Sequence, residues 1–450
     1  MSFDNLVFNK LFGNYGYEKM TKPLWQKSTT SINEKVMQYM AGEDIVLDRE
    51  LIQFDLVASK AHVKGLLSIN ILDKIESEKL INELENLSLL VENGEFVLDS
   101  RFEDCHSAIE FYLVEKLGEL GKKVHTGRSR NDQISAATRL YLKSSLQLVI
   151  EKCQQAAQIC LDKAEQNKQQ AMPGYTHLQQ AVPSSAGMWF AGFAESMIDN
   201  LISLNAALRL IDCNPLGTAA GYGVNLPLDR NLTTEELGFS RMQINPIYAQ
   251  NSRGKFEIAV LNAMSQCLLD VRRYCWDISL FTTQEFAMVK LPDEMMTGSS
   301  IMPNKNNPDL VELMRASYSV VQSATTELQS LLSLPSGYQR DLQLTKAPML
   351  RGIKKSIDTL SLFPMLIEGT RFISDACEEK INPPMYATDL AMELSVQNIP
   401  FRSAYQQVAN SYDELQQRNP EDSLKSRVSP GACGDLMLTE LNQRLSTGTN

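Results

Sequence analysis

The sequence predicts an all-α protein organised around a bundle of long helices, and three observations carry that expectation. Four stretches contain no Gly and no Pro at all: Asn131 to Met172, Phe193 to Asn214, Lys255 to Leu291 and Asp309 to Leu334. Within the third, Phe256, Val260, Ala263, Met264, Cys267, Leu268, Val271, Cys275, Ile278 and Phe281 recur at spacings of three and four, one continuous apolar stripe. Strand-like alternation is weak throughout. Helices of this length exceed the globular mean of about 11–12 residues and need long partners, so a bundle is the natural architecture.

Taken in order, the first hundred residues read as shorter helices, for example Asp48 to Lys64 and Asn70 to Glu92. The four long segments follow. Several are apolar on more than one face, as around Ile258 to Leu280, which predicts packing against other subunits. From Met365 to Asn450 the chain returns to short segments separated by Pro and Gly, and no internal repeat is present.

A chain of 450 residues is long for a single core and suggests two or three domains. Its formal net charge of −11 argues against a nucleic-acid or anionic-membrane surface, so any anionic ligand must be met by local basic and amide groups. Met1 to Lys27 has no unbroken apolar run of the kind a secretory signal carries, and no stretch is apolar enough to span a bilayer. The eight cysteines are scattered without metal-ligand spacing, the usage of reduced cytosolic core thiols.

Five motifs are expected at the ends of the long helices, where a bundle brings distant segments together. The first is Asp104-Cys105-His106-Ser107 and the second runs from His125 to Gln133. In the second, Gly127 permits close backbone approach to a ligand, Arg128 and Arg130 offer forks that match a carboxylate, and Asn131 or Asp132 caps the next helix. The third is Pro173-Gly174-Tyr175-Thr176-His177-Leu178-Gln179. Three of the four histidines (His106, His125, His177) fall in these clusters, which favours proton transfer or anion binding over purely structural roles. The fourth motif is the loop Gly298 to Pro308, with hydroxyls, Lys305 and an amide pair, Asn307 suited to an N-cap and Pro308 to the first helical position. The fifth, Tyr338 to Lys346, offers a carboxylate clamp through Tyr338, Arg340, Gln343 and Lys346.

The Gly298 loop resembles that of the fumarase/aspartase superfamily, whose members cleave a C–N or C–O bond to release fumarate. The runs His125 to Gln133, Pro173 to Gln179 and Gly298 to Glu312 together narrow the resemblance to the argininosuccinate lyase family, from about Leu24 through Lys346. The resemblance implies an all-α, three-domain cytoplasmic homotetramer with residues 1–128, 129–370 and 371–450 as its domains. The central domains would form one joint helical core, with each active site shared among three subunits. It implies reversible cleavage of argininosuccinate into arginine and fumarate with no metal and no organic cofactor, and no nucleic-acid or membrane partner. Carried over by position, Ser299 is the general base, His177 the partner in proton transfer, Glu312 the residue orienting His177, and Lys305 the cation for the developing carboxylate charge. Asn131, Thr176, Asn307, Tyr338, Gln343 and Lys346, with Ser129, Arg130 and His106 beside them, would bind substrate.

The residue types suit that chemistry. A proton alpha to a carboxylate can be removed only if the charge spreads into an aci-carboxylate held by donors and cations. A serine hydroxyl acts as the base only in a desolvated, cationic pocket. Two positions depart from the family pattern: Asp44 stands where a substrate-contacting serine is common, and Asn251-Ser252-Arg253-Gly254 replaces a Ser-Asp-Arg-Asp loop. Both bear on specificity, and the alternative reading is a fumarate-releasing lyase acting on another succinyl-amine.

Overall fold

The computed structural model describes residues 36, 39–40, 42–99 and 101–447; the segment Met1–Pro23 lies outside them. In chain order the principal elements are α1 (Asp44–Leu47), α2 (Ile52–Ser68), α3 (Lys74–Glu92), α4 (Cys105–Leu117), α5 (Arg130–Gln166), β1 (Ala171–Thr176), β2 (Gln179–Ser185), α6 (Ala186–Ile211), α7 (Lys255–Phe281), β3 (Thr297–Gly298), β4 (Asn306–Asn307), α8 (Asp309–Leu331) and α9 (Lys346–Gly369). Three helices near the C-terminus are α10 (Ala387–Val396), α11 (Phe401–Asn410) and α12 (Leu438–Thr447). The fold is predominantly helical, and no helix among the described residues is long and apolar enough to cross a membrane.

Each Gly- and Pro-free stretch holds most of one long helix, α5, α6, α7 or α8, although α6 begins earlier and takes in Gly187 and Gly192 and α7 ends at Phe281, ten residues before the stretch does; every residue of the stripe foreseen on α7 is buried. Contacts divide the chain into two compact units. The first comprises residues 1–144, 210–258 and 327–350, the second residues 145–209, 259–326 and 351–450.

In the first unit, α2 buries Ile52, Leu56, Val63 and Leu66 against Leu80, Leu84 and Leu87 of α3 and Ile109 and Leu113 of α4. Asn70, at φ 57°, ends α2, with the amide of Ile71 reaching back to the carbonyl of Leu66 at 3.0 Å. Asp73 starts α3 as half of a capping box with Glu76. The second unit is held by aromatic packing: the Trp189 ring lies 4.8 Å from that of Tyr274 and 4.9 Å from that of Phe193, measured between centroids. Ala171, Ile381, Met385, Tyr386 and Leu424 form a further cluster there.

One element departs from the sequence expectation, and another forms where the sequence reading offered none. The third motif is not a plain loop: β1 and β2 pair antiparallel, with Tyr175 opposite Gln180 and Thr176 opposite Gln179. Helix α9 contains Pro364, and it absorbs Pro348 and Gly352 as well, so its local sequence reads as broken although packing of Ile353, Leu360 and Phe363 sustains it. All eight cysteines are free and buried.

Candidate functional site

A polar cavity of about 120 Å³ lies within the first unit. His106, Arg130, Asn131, Tyr338, Gln343 and Lys346 of the sequence-derived set line it, together with Asp44, Glu103, Asp104 and Arg253. Five separate segments thus converge on one concavity. Local folding explains each position. Asp104 caps α4, its carboxylate accepting from the Ser107 amide at 2.8 Å, so the outer residues of the first motif fix the helix start and His106 is turned inward.

The floor of the cavity is an ionic cluster. Lys346 Nζ donates to Asp48 Oδ1 at 2.6 Å and lies 3.3 Å from Asp44 Oδ2; the other Asp48 oxygen accepts from the Cys105 amide at 3.0 Å. Burial alone would push the Lys346 ammonium down, but the Asp48 and Asp44 carboxylates hold it above its usual value. Burial pushes the Asp44 carboxyl up to about 6, partly offset by Lys346 and reinforced by the like charge of Asp48.

Cations and amides form the walls. Arg130 Nη1 bridges Glu103 at 2.9 Å and Asp104 at 3.0 Å. Gln343 Nε2 and Arg340 Nη2 donate to the Met40 carbonyl at 2.9 and 3.0 Å. The Arg253 guanidinium lies 5.6 Å from the centroid of the Tyr338 ring, and Gly337 donates its amide to Asn251 Oδ1 at 2.7 Å, tying the fifth motif to the 251–254 turn. His106 is buried, with Nδ1 2.7 Å from Asp55 Oδ2. Burial would lower its pKa, yet the Asp55, Asp104 and Asp48 carboxylates raise it above the usual histidine value.

Several assignments change. Ser129, not Asn131 or Asp132, precedes the first residue of α5, and Asp132 reaches back to the Ser129 amide at 2.9 Å. Ser129 does not line the cavity. Arg128 is buried and donates to Ser59 Oγ at 2.9 Å, so of the two predicted forks Arg130 is the one at the cavity. Gly127, at φ 73°, approaches the Leu228 and Leu226 side chains rather than the cavity. Burial, followed by Arg128 and Arg130, lowers His125 to about 4, which keeps it neutral and ill-suited to anion binding at pH 7. Gly254, at φ 76°, occupies left-handed backbone that favours glycine, and a Cβ there would lie 2.4 Å from Leu332 Cδ2, so that side chain would have to move.

The other predicted residues belong to the second unit. Thr176 ends β1, and His177 and Leu178 form the two-residue turn to β2 with φ of 57° and 58°. Left-handed backbone at two successive non-glycine residues is the geometry of a tight hairpin and carries strain, which projects His177 from the turn. Gly298 and Asn306 pair across β3 and β4, so the fourth motif is a hairpin closing the loop 299–305. Ser299 Oγ in that loop accepts from the amides of Met302 at 3.1 Å and Ile301 at 3.4 Å. Lys305 is exposed and Asn307 half-buried. Asn307 lies in β4 and α8 begins at Asp309, with the Pro308 carbonyl accepting from Glu312, one residue later than the sequence suggests. Glu312 is exposed, with Arg315 3.9 Å away.

Two functional candidates escaped the sequence reading: Asp48 and Asp55. Their only signal was a seven-residue spacing, two helical turns, across Asp48-Arg49-Glu50-Leu51-Ile52-Gln53-Phe54-Asp55. One group among the described residues brings donor atoms to metal-binding proximity, namely Asp55, Cys105 and His106, within 4.8 Å of one another; hydrogen bonding already engages the carboxylate.

Comparison with known proteins decides the family. The model of a lyase family matches residues 16–323. An argininosuccinate lyase of Xanthomonas campestris pv. campestris (strain B100) is 52% identical over 426 residues, 94% of this chain and 99% of that protein. The chain belongs to the argininosuccinate lyase family. Another member, from Xylella fastidiosa (strain Temecula1 / ATCC 700964), is 52% identical over 431 residues, 96% of this chain and 97% of that protein. The fold also resembles the crystal structure of EDDS lyase in complex with formate, with TM-score 0.75 and 21% identity over 93% of this chain and 94% of that chain. A 3-carboxy-cis,cis-muconate lactonizing enzyme from Pseudomonas putida matches with TM-score 0.67 and 16% identity, covering 92% of this chain and 93% of that one.

Proposed function

We propose that this family member cleaves argininosuccinate reversibly into arginine and fumarate, by proton abstraction alpha to a carboxylate and departure of the guanidinium nitrogen. The observation that carries the reading is the convergence of His106, Arg130, Asn131, Tyr338, Gln343 and Lys346 on one polar cavity, the donor set a dicarboxylate requires.

Ser299 is the base. The two amides directed at its Oγ stabilise a deprotonated oxygen, and hydrogen bonding to the charged form is what lowers a hydroxyl's pKa. Lys305, Asn307 and the first turn of α8 stabilise the aci-carboxylate. His177, oriented by Glu312, serves proton transfer to or from the leaving nitrogen, and Thr176 completes substrate binding. Asp44 supplies an anion for the positively charged arginine end, in place of a neutral hydroxyl.

The same reading makes the working protein a three-domain homotetramer, divided at residues 128 and 370, in which several copies complete each site. Two features support assembly. Exposed apolar side chains stud the second unit, with Ile202 57%, Trp276 48%, Leu313 71% and Met365 56% exposed. An apolar groove of about 520 Å³ in that unit is walled by Trp189, Phe193 and Phe281. The test is fumarate release, followed by ultraviolet absorbance, from argininosuccinate and in parallel from adenylosuccinate. Turnover of argininosuccinate alone is the expected result; silence on it from folded protein transfers the elimination chemistry to another amine.

A further inference from the structure

We propose that Asp55 is a positioning residue that holds His106 with its Nε2–H presented to the cavity as a donor for a substrate carboxylate. The inference rests on the reading of that cavity as the substrate site. Asp55 is fully buried on α2, and its Oδ2 meets His106 Nδ1 at 2.7 Å, so the proton on that nitrogen is fixed by the carboxylate. Gln133 Nε2 grips the same carboxylate, at 3.0 Å from Oδ1 and 3.2 Å from Oδ2, and leaves it little freedom to turn. The opposite ring nitrogen, Nε2, is buried and has no hydrogen-bond partner among the described residues, while His106 itself forms cavity wall.

The charge on Asp55 decides what that nitrogen offers. With Nδ1–H given to Asp55, a neutral ring would aim a lone pair from Nε2 and repel a carboxylate. An imidazolium aims a second N–H and attracts it. The titratable and charged groups around the ring are Asp55 and Asp48 from the α2 side, Asp104 on the ring's own segment, His125, Arg130 and Lys346. The Cys105 thiol, 3.7 Å from the ring, stays protonated because burial drives its pKa well up. Burial opposes the imidazolium and the acids favour it, with Asp55 the strongest of them.

The experiment uses full-length protein with ring-labelled histidine, followed by NMR across pH in wild type, Asp55→Asn and His106→Gln, the last assigning the signal among four histidines. Asn at 55 can still accept from Nδ1, and a flipped Gln133 amide, whose Oε1 is without a partner, can accept from the new amide. In Asp55→Asn the His106 midpoint moves down by about one to three pH units, the range expected for removing a contacting charge. In fumarate release the alkaline limb of kcat/KM moves down by the same interval, chiefly through KM, and His106→Gln loses the limb so that adding Asp55→Asn changes nothing further. An unmoved His106 midpoint, or an equal loss at every pH, overturns the proposal. If Asp55→Asn does not fold, a wild-type His106 midpoint at or below the ordinary histidine value overturns it instead. Wild type inactive on argininosuccinate would overturn the proposed function, and the midpoint, read without substrate, still decides the role of Asp55.

Discussion

Replacing Lys346 by Met removes the cation that pairs with Asp48 and Asp44 while preserving an unbranched apolar stem. Asp48 is fully buried and its Oδ1 loses a 2.6 Å partner; Asp44, whose side chain is 16% exposed, loses one at 3.3 Å. Stranding one partner of a buried ion pair costs about 3–5 kcal/mol. Unfolding entropy of about 2.1 cal/mol/K per residue gives a chain of 450 residues about 0.9 kcal/mol/K, so the melting temperature should fall by about 3–5 °C at pH 8. A stranded carboxylate escapes the penalty by taking up a proton, so the deficit should shrink at pH 5. Asp48→Asn added to Lys346→Met should recover most of the loss at pH 8, because an amide keeps a polar contact without a charge. Scanning calorimetry of the three proteins at both pH values measures this. A deficit that is the same at pH 5 and pH 8, or that Asp48→Asn fails to repair, would refute the argument that uncompensated charge is the cost.

Asp44→Asn should act in the opposite direction. The folded carboxyl sits at about 6 against an ordinary value of 3.8, so the folded state binds the extra proton and wild-type stability falls as pH rises through that window. The variant should match wild type near pH 4 and exceed it above pH 6 by up to about 3 kcal/mol, read as a melting-temperature difference that opens with pH. Gly254→Ala should destabilise by about 2–4 kcal/mol, since its Cβ would lie 2.4 Å from Leu332 Cδ2 at φ 76°, and Leu332→Ala in the same chain should return part of that; denaturant midpoints report it. Ser299→Ala should lower kcat for fumarate release by about 100-fold or more with KM changed little, and turnover within a few-fold of wild type would remove Ser299 as the base.

The long helices were legible because each buries a stripe over many turns, and a period repeated that often outweighs local irregularity. The β1–β2 hairpin was hidden by Pro173, Gly174 and Pro183, which interrupt alternation over strands of six and seven residues. Helix α9 was hidden by Pro348, Gly352 and Pro364, which tertiary packing overrides. For the site, the motif containing Arg128 and Arg130 was visible but not its division of labour. Both are arginines in one turn, and only the path of the chain sends Arg128 to Ser59 and Arg130 to Glu103 and Asp104.

The sequence by itself determined the helical class, the family and the residue types available for elimination, because hydrophobic periodicity and motif strings are properties of neighbouring residues. Tertiary structure alone decided the ionisation of the site. Whether Asp44 stands near 6, Lys346 stays charged or His106 gains a proton depends on burial and on charges brought from segments as distant as Asp48 and Lys346. Those are three-dimensional sums over neighbours that no local stretch of the chain contains.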